Sequence, residues 1–226
     1  MVGNLFGFAR FSLGSVQDLD GDGRRDLSIA TATDRVELGR VWIFGSQTIA
    51  TATAPLAASQ RRFEIVAPTP GNTTSTSGFG NVVLGGVNLQ DSSASDIAVG
   101  SPILGKLYIY HAVSGTSAGT AVEIQGPGRF GRQVVTGDIN GDGRPDLVVA
   151  EEYLSSATAG WVLYGKATGF DASLNGSQPG PMISVFRGTV VGSRRGQVNA
   201  LGNVAGDSKL EVIVTDENSS LVEVWR

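Results

Sequence analysis

Two stretches of the chain place carboxylates at alternate positions. Asp18, Asp20, Asp22 and Asp26 stand in "DLDGDGRRD", and Asp138, Asn140, Asp142 and Asp146 stand in "DINGDGRPD". Side-chain oxygens at positions one, three, five and nine, joined by the backbone carbonyl at seven (Arg24 and Arg144), can surround a hard cation that takes about 6–8 oxygen ligands. Carboxylates crowded this closely repel one another unless a cation sits among them. Glycines at positions four and six let the chain turn tightly, because glycine reaches positive φ without a Cβ penalty. The expected ion is calcium, one per loop and two in all. Magnesium prefers to keep several waters and has little use for an all-protein cage. An EF-hand is excluded, since it needs a Glu at position twelve, where this chain has Ile29 and Val149 in runs that read as buried strands.

The same nine-residue frame returns twice in weakened form. "NLQDSSASD" keeps Asn88 and Asp96 but has Gln90 and Ser92 at ligand positions, and "NVAGDSKLE" keeps Asp207 and Glu211 but has Ala205. Both are expected to be turns without an ion, because too few charges remain.

Other routes to chemistry are thin. Cysteine is absent, which removes thiolate nucleophiles, disulfides and Cys-based zinc sites together. The single histidine, His111, follows the strand-like "KLYIY" and reads as a solvated strand-end residue. Glu151 and Glu152 are adjacent, so an extended chain points them to opposite faces and they make a poor glycosidase pair. With no nucleophile, base and orienter in local reach, the reading is a protein that is not an enzyme.

The elements that position the loops repeat as well. Each loop is followed by an apolar run, a connection and an alternating aromatic run: "GRVWIF", "GKLYIY", "GWVLYG" and "SLVEVW". The first three units then add "RRFEIVAP", "TAVEIQGP" and "PMISVFRG", each long enough for a fourth strand, whereas the fourth stops at its third. The closing acids Asp26, Asp96, Asp146 and Glu211 are separated by 70, 50 and 65 residues. A period of about 62 residues with four short strands suits a propeller blade; a solenoid coil is shorter and a sandwich needs no repeat. The fold class expected is therefore all-β, a β-propeller of about four four-stranded blades. The chain reads as one domain, 1–226, with units near 1–70, 71–127, 128–180 and 181–226.

Composition agrees. The chain has 226 residues, 41% of them hydrophobic, with 32 glycines and a formal net charge of −4. That charge supplies no basic field for nucleic acid, and no apolar run is long enough for a membrane-spanning helix. The N-terminal "MVGNLFGFAR" has neither a basic segment nor an apolar core of the kind that directs secretion. Three sequons begin at Asn72, Asn175 and Asn218.

Phe79-Gly80, Phe130-Gly131, the two acidic loops and the "GSP" triplet at Gly100 to Pro102 together resemble the FG-GAP repeats of integrin α-subunits and related propellers. The resemblance implies an extracellular or cell-surface location, calcium in hairpin loops, and adhesion or recognition of a protein or glycan ligand without catalysis. The alternative is a purely structural part of a larger extracellular assembly. Arg195-Gly196 stands where the fourth unit should have Phe-Gly, and Phe6-Gly7 lies further from its loop than in the other units. Family members usually close with about seven blades, so the four units are expected to be completed by more chain, by self-association or by a neighbouring subunit. Partner binding is expected on the connections opposite the calcium loops, at Asp34, Arg35, Glu37, Glu151, Glu152, Tyr153, Asp216 and Glu217, a mainly acidic face that could steer a basic ligand.

Overall fold

A computed structural model describes residues 11–16, 18–19, 22–31, 39–53, 55–68, 77–90, 95–113, 116–119, 121–150, 159–170, 183–187, 195–203, 206, 210–216 and 221–225. The described residues form an all-β molecule. The first sheet holds β1 (Phe11–Ser15), β2 (Leu27–Thr31), β3 (Arg40–Phe44) and β4 (Phe63–Val66). The second holds β5 (Val83–Val87), β6 (Ser95–Ser101), β7 (Lys106–Val113) and β8 (Ala121–Gln125). The third holds β9 (Gln133–Gly137), β10 (Asp146–Ala150), β11 (Ala159–Leu163) and β12 (Ile183–Arg187). The fourth has three described strands, β13 (Arg195–Gly202), β14 (Glu211–Asp216) and β15 (Leu221–Trp225). A one-turn helix, α1 (Ser46–Ala50), follows β3.

In every sheet the strands lie side by side in chain order, each antiparallel to the next. Short connections and strands rich in Val, Ile and aromatic residues favour this meander. The expected fourth strands are present at "FEIV", "AVEIQ" and "ISVFR". First strands adjoin one another from sheet to sheet, β1 against β5, β5 against β9 and β9 against β13. This is a propeller-like arrangement. Among the described residues no helix is long and apolar enough to cross a membrane.

The core lies between the sheets. Val41, Ile43 and Ile65 of the first sheet pack on Val83, Val99 and Tyr108 of the second. Ala98, Ile109 and Ile124 of the second pack on Val134, Val149 and Trp161 of the third, and Val148 and Val162 of the third pack on Val212 of the fourth. The second and third sheets therefore bury both faces against neighbours, which explains why β6 and β10 read as continuous apolar runs.

The Phe-Gly pairs are joints in this core. Phe79 and Phe130 are fully buried, and their rings meet Tyr108 and Trp161 edge-on at centroid separations of 5.5 and 5.1 Å. Gly131, at φ +83°, lies so close to the preceding sheet that a Cβ would sit 2.4 Å from the Lys106 carbonyl oxygen. Gly100 of the "GSP" triplet is pressed against Gly131 in turn, with a Cβ there falling 2.0 Å from the Gly131 carbonyl oxygen. Only residues without side chains allow that approach. Phe6-Gly7 lies outside the described residues, and Arg195-Gly196 begins β13.

Candidate metal centre

All four acidic loops join the first strand of a sheet to its second. The two intact loops share one hydrogen-bond scaffold. Asp18 Oδ1 accepts from the Asp22 amide at 3.1 Å and Oδ2 from the Gly23 amide at 2.7 Å. At the equivalent positions Asp138 Oδ1 accepts from Asp142 at 3.0 Å and Oδ2 from Gly143 at 2.8 Å. Asp22 Oδ1 and Asp142 Oδ1 each accept from the amide two residues on, Arg24 and Arg144, both at 2.8 Å. Gly143 has φ +84° and Gly23 φ +82°, the left-handed turn that aims successive amides inward.

The third loop is described in full. The Asn140 Nδ2 group donates to Asp142 Oδ2 at 3.1 Å, and the Arg144 guanidinium lies 3.8 Å from the same oxygen. In the first loop the Ser46 hydroxyl donates to Asp22 Oδ2 at 2.5 Å. Asp20 lies outside the described residues. The donor set, oxygen throughout with several carboxylates on an exposed loop, suits a hard cation. Among the described residues, however, no three of His, Cys, Asp and Glu gather closely enough to hold a metal, because the carboxylates are turned toward backbone amides.

The closing acid has a role the spacing did not show. Asp26 and Asp146 are buried, and each joins two parts of its hairpin. Asp26 Oδ2 accepts from the Leu19 amide at 3.1 Å and Oδ1 from the Ser46 amide at 3.0 Å, beyond β3. Asp146 accepts from Ile139 at 2.8 Å and from Gly165 at 2.9 Å in the same way. Burial pushes the Asp146 carboxyl above its usual range, assisted by the charge of Asp142 and opposed by the Gly165, Ile139 and Asn140 amides. The degenerate second loop keeps this staple, with Asp96 fully buried and its Oδ2 accepting from the Leu89 amide at 2.8 Å. Glu211 is buried at the same place in the fourth sheet. In the first three loops the closing acid is thus a fastening of the strands. Its persistence in loops that had lost the other ligands was the signal available in the sequence.

His111 departs from the expectation of a solvated strand end. β7 runs on to Val113 through a register shift opposite Ser95 and Ile97, so His111 lies inside the strand. Its Nδ1 is 3.2 Å from Asp96 Oδ1, a contact whose angle falls short of a hydrogen bond, and its Nε2 accepts from the Phe170 amide at 3.3 Å. Stacking on Phe170 ties this pair to the third sheet. Of the expected partner face, Asp34, Arg35, Glu37, Glu151, Glu152, Tyr153 and Glu217 lie outside the described residues, and Asp216 is described only as the last residue of β14.

A family model for the FG-GAP repeat matches residues 130–163, from the Phe130-Gly131 joint through the acidic loop to the end of β11. Over that stretch the chain is similar to an FG-GAP repeat. The second and first sheets reproduce the strand order of the third, and the second its buried Phe-Gly joint. FG-GAP repeats are associated with extracellular propellers of the integrin type. No curated protein matches the chain.

Proposed function

We propose that the chain is a calcium-stabilised FG-GAP β-propeller of about four blades that serves outside the cell as a recognition module for a protein or glycan, without catalysis of its own. The observation that carries the calcium assignment is the shared scaffold of the first and third loops, in which equivalent aspartates make equivalent amide bonds within 0.1 Å of each other. On this reading the ligands would be Asp18, Asp20, Asp22 and Asp26 in one loop and Asp138, Asn140, Asp142 and Asp146 in the other, with the Arg24 and Arg144 carbonyls completing each set, and the side chains would have to close in around the ion. Binding requires the side chains to exchange some amide hydrogen bonds for the ion, while the buried closing acid keeps the hairpin in register. Two divalent ions would also bring the formal charge of −4 to about zero. Recognition is assigned to the connections opposite the loops, whose acidic residues, Asp34, Glu37, Glu151, Glu152, Asp216 and Glu217, would favour a basic partner.

Isothermal titration with calcium on chelator-stripped protein tests the reading. Two sites are expected, with a melting temperature that rises with free calcium. Replacing Asp142 by Ala should leave one site. Absence of binding, with identical melts in calcium and in EDTA, would overturn it.

A further inference from the structure

The register of the sheets makes their faces comparable residue by residue. On the face that each sheet turns toward the one before it, Val83, Val99 and Tyr108 form a row across the second sheet, and Val134, Val149 and Trp161 form the same row across the third. Both rows are buried against the preceding sheet. The corresponding row of the first sheet is Leu13, Ile29 and Trp42. Leu13 is 72% exposed, against 9% for Val83 and 6% for Val134, and Ile29 and Trp42 are half-buried. Val66, on the same face, is exposed as well.

The opposite face shows the complement. Ile43, Ile109 and Val162 hold one position on the third strands of the first three sheets, and all three are buried under the next sheet. Val224 holds that position in the fourth sheet, paired with Ile213, and is 51% exposed. Among the described strands, β13 makes no close approach to β1 comparable to that of β9 to β13.

We propose that these two faces form an interaction surface for a second copy of this chain, the Val224 face of one molecule covering the Leu13–Ile29–Trp42 face of the other. The joint is the one the chain already makes between its first and second sheets and between its second and third, apolar row on apolar row, so the occupant must present the row that follows Val162 and Ile109 in the pattern. A second copy presents it. Such a contact is head-to-tail, and if it closes it does so twice, giving a ring of about eight sheets, the upper end of the roughly 4–8 that propellers use. The inference rests on reading the sheets as blades and not on reading the loops as cation sites.

Light scattering on the eluting protein over a concentration series, in calcium and in EDTA, tests it. The expected result is a mass near twice 23.4 kDa at high micromolar concentration that falls toward one copy on dilution. Leu13→Lys and Val224→Lys, both at exposed positions, should each be monomeric with unchanged melting curves. Mixed together they should form a 1:1 pair, because the intact face of each meets the intact face of the other. A wild-type chain that stays monomeric refutes the proposal without reference to any variant. So does a Val224→Lys protein that still dimerises, since the Leu13 face would then be pairing with itself.

Discussion

Replacing Asp96 by Ala separates the strand-fastening role of the closing acid from any role in holding an ion. The second loop has lost two of its ligand positions, yet Asp96 is fully buried, with Oδ2 on the Leu89 amide and Oδ1 facing His111 and Gln90. Alanine leaves the buried Leu89 N–H without this acceptor, at a cost of about 1–3 kcal/mol, and removes the acceptors facing His111 and Gln90 as well. A total near 3 kcal/mol corresponds to a fall of about 6–12 °C in melting temperature for a chain of this size. The informative control is Asp142→Ala, whose carboxylate is exposed and bonded mainly within its own loop. In EDTA that change should cost no more than about 0.5 kcal/mol, typical of a surface site, and its deficit should appear only when calcium is present. Asp96→Ala should show the same loss in both buffers. Calorimetric melts of the two variants and the wild type, with and without calcium, make the comparison. A loss for Asp96→Ala below about 1 kcal/mol, or one confined to the calcium buffer, would show that the buried acid is not a staple in its own right.

Gly131→Ala should lower the melting temperature by about 6–12 °C, since left-handed strain of about 1–3 kcal/mol is joined by a clash with the Lys106 carbonyl; Gly143→Ala, at nearly the same φ but with open space around it, should cost the strain alone. Equal effects of the two changes in a thermal melt would discount the joint. Glu64 lies beside Arg40 and 2.8 Å from Arg61. Burial raises its pKa, but hydrogen bonding and charge from Arg40, with help from Arg61, outweigh this and hold it below 4.5. The carboxylate therefore stabilises the fold above about pH 4.5, and that contribution is lost as pH falls through the depressed value. In urea titrations the stability gap between wild type and Glu64→Gln should shrink on acidification; a gap that stays constant would count against the pairing.

The repeat was legible because its signals are local. Alternating apolar residues set the strands, the nine-residue acidic frame set the first hairpin of each unit, and a fourth strand could be counted after each of the first three aromatic ones. What stayed hidden depends on contacts between distant segments. Nothing near His111 in the sequence shows that Phe170, 59 residues away, will supply an amide to its ring. The bulge that carries β7 past Tyr110 has no signature in "KLYIYHAV". The acid at position nine reads as one ligand among four, and its two-sided grip on the hairpin appears only when Leu19 and Ser46, or Ile139 and Gly165, are seen on either side of it. The Phe-Gly pair was readable as a motif, but the reason for its glycine, a carbonyl of the neighbouring sheet almost in contact, is a fact of packing.

Strands within a sheet are tied by ladders of directional bonds, while one sheet meets the next chiefly through apolar side chains. The two kinds of joint respond oppositely to cooling. Hydrophobic association weakens toward low temperature, whereas backbone hydrogen bonds do not depend on that entropy. Cold should therefore slacken the seams between sheets before it frays the sheets themselves.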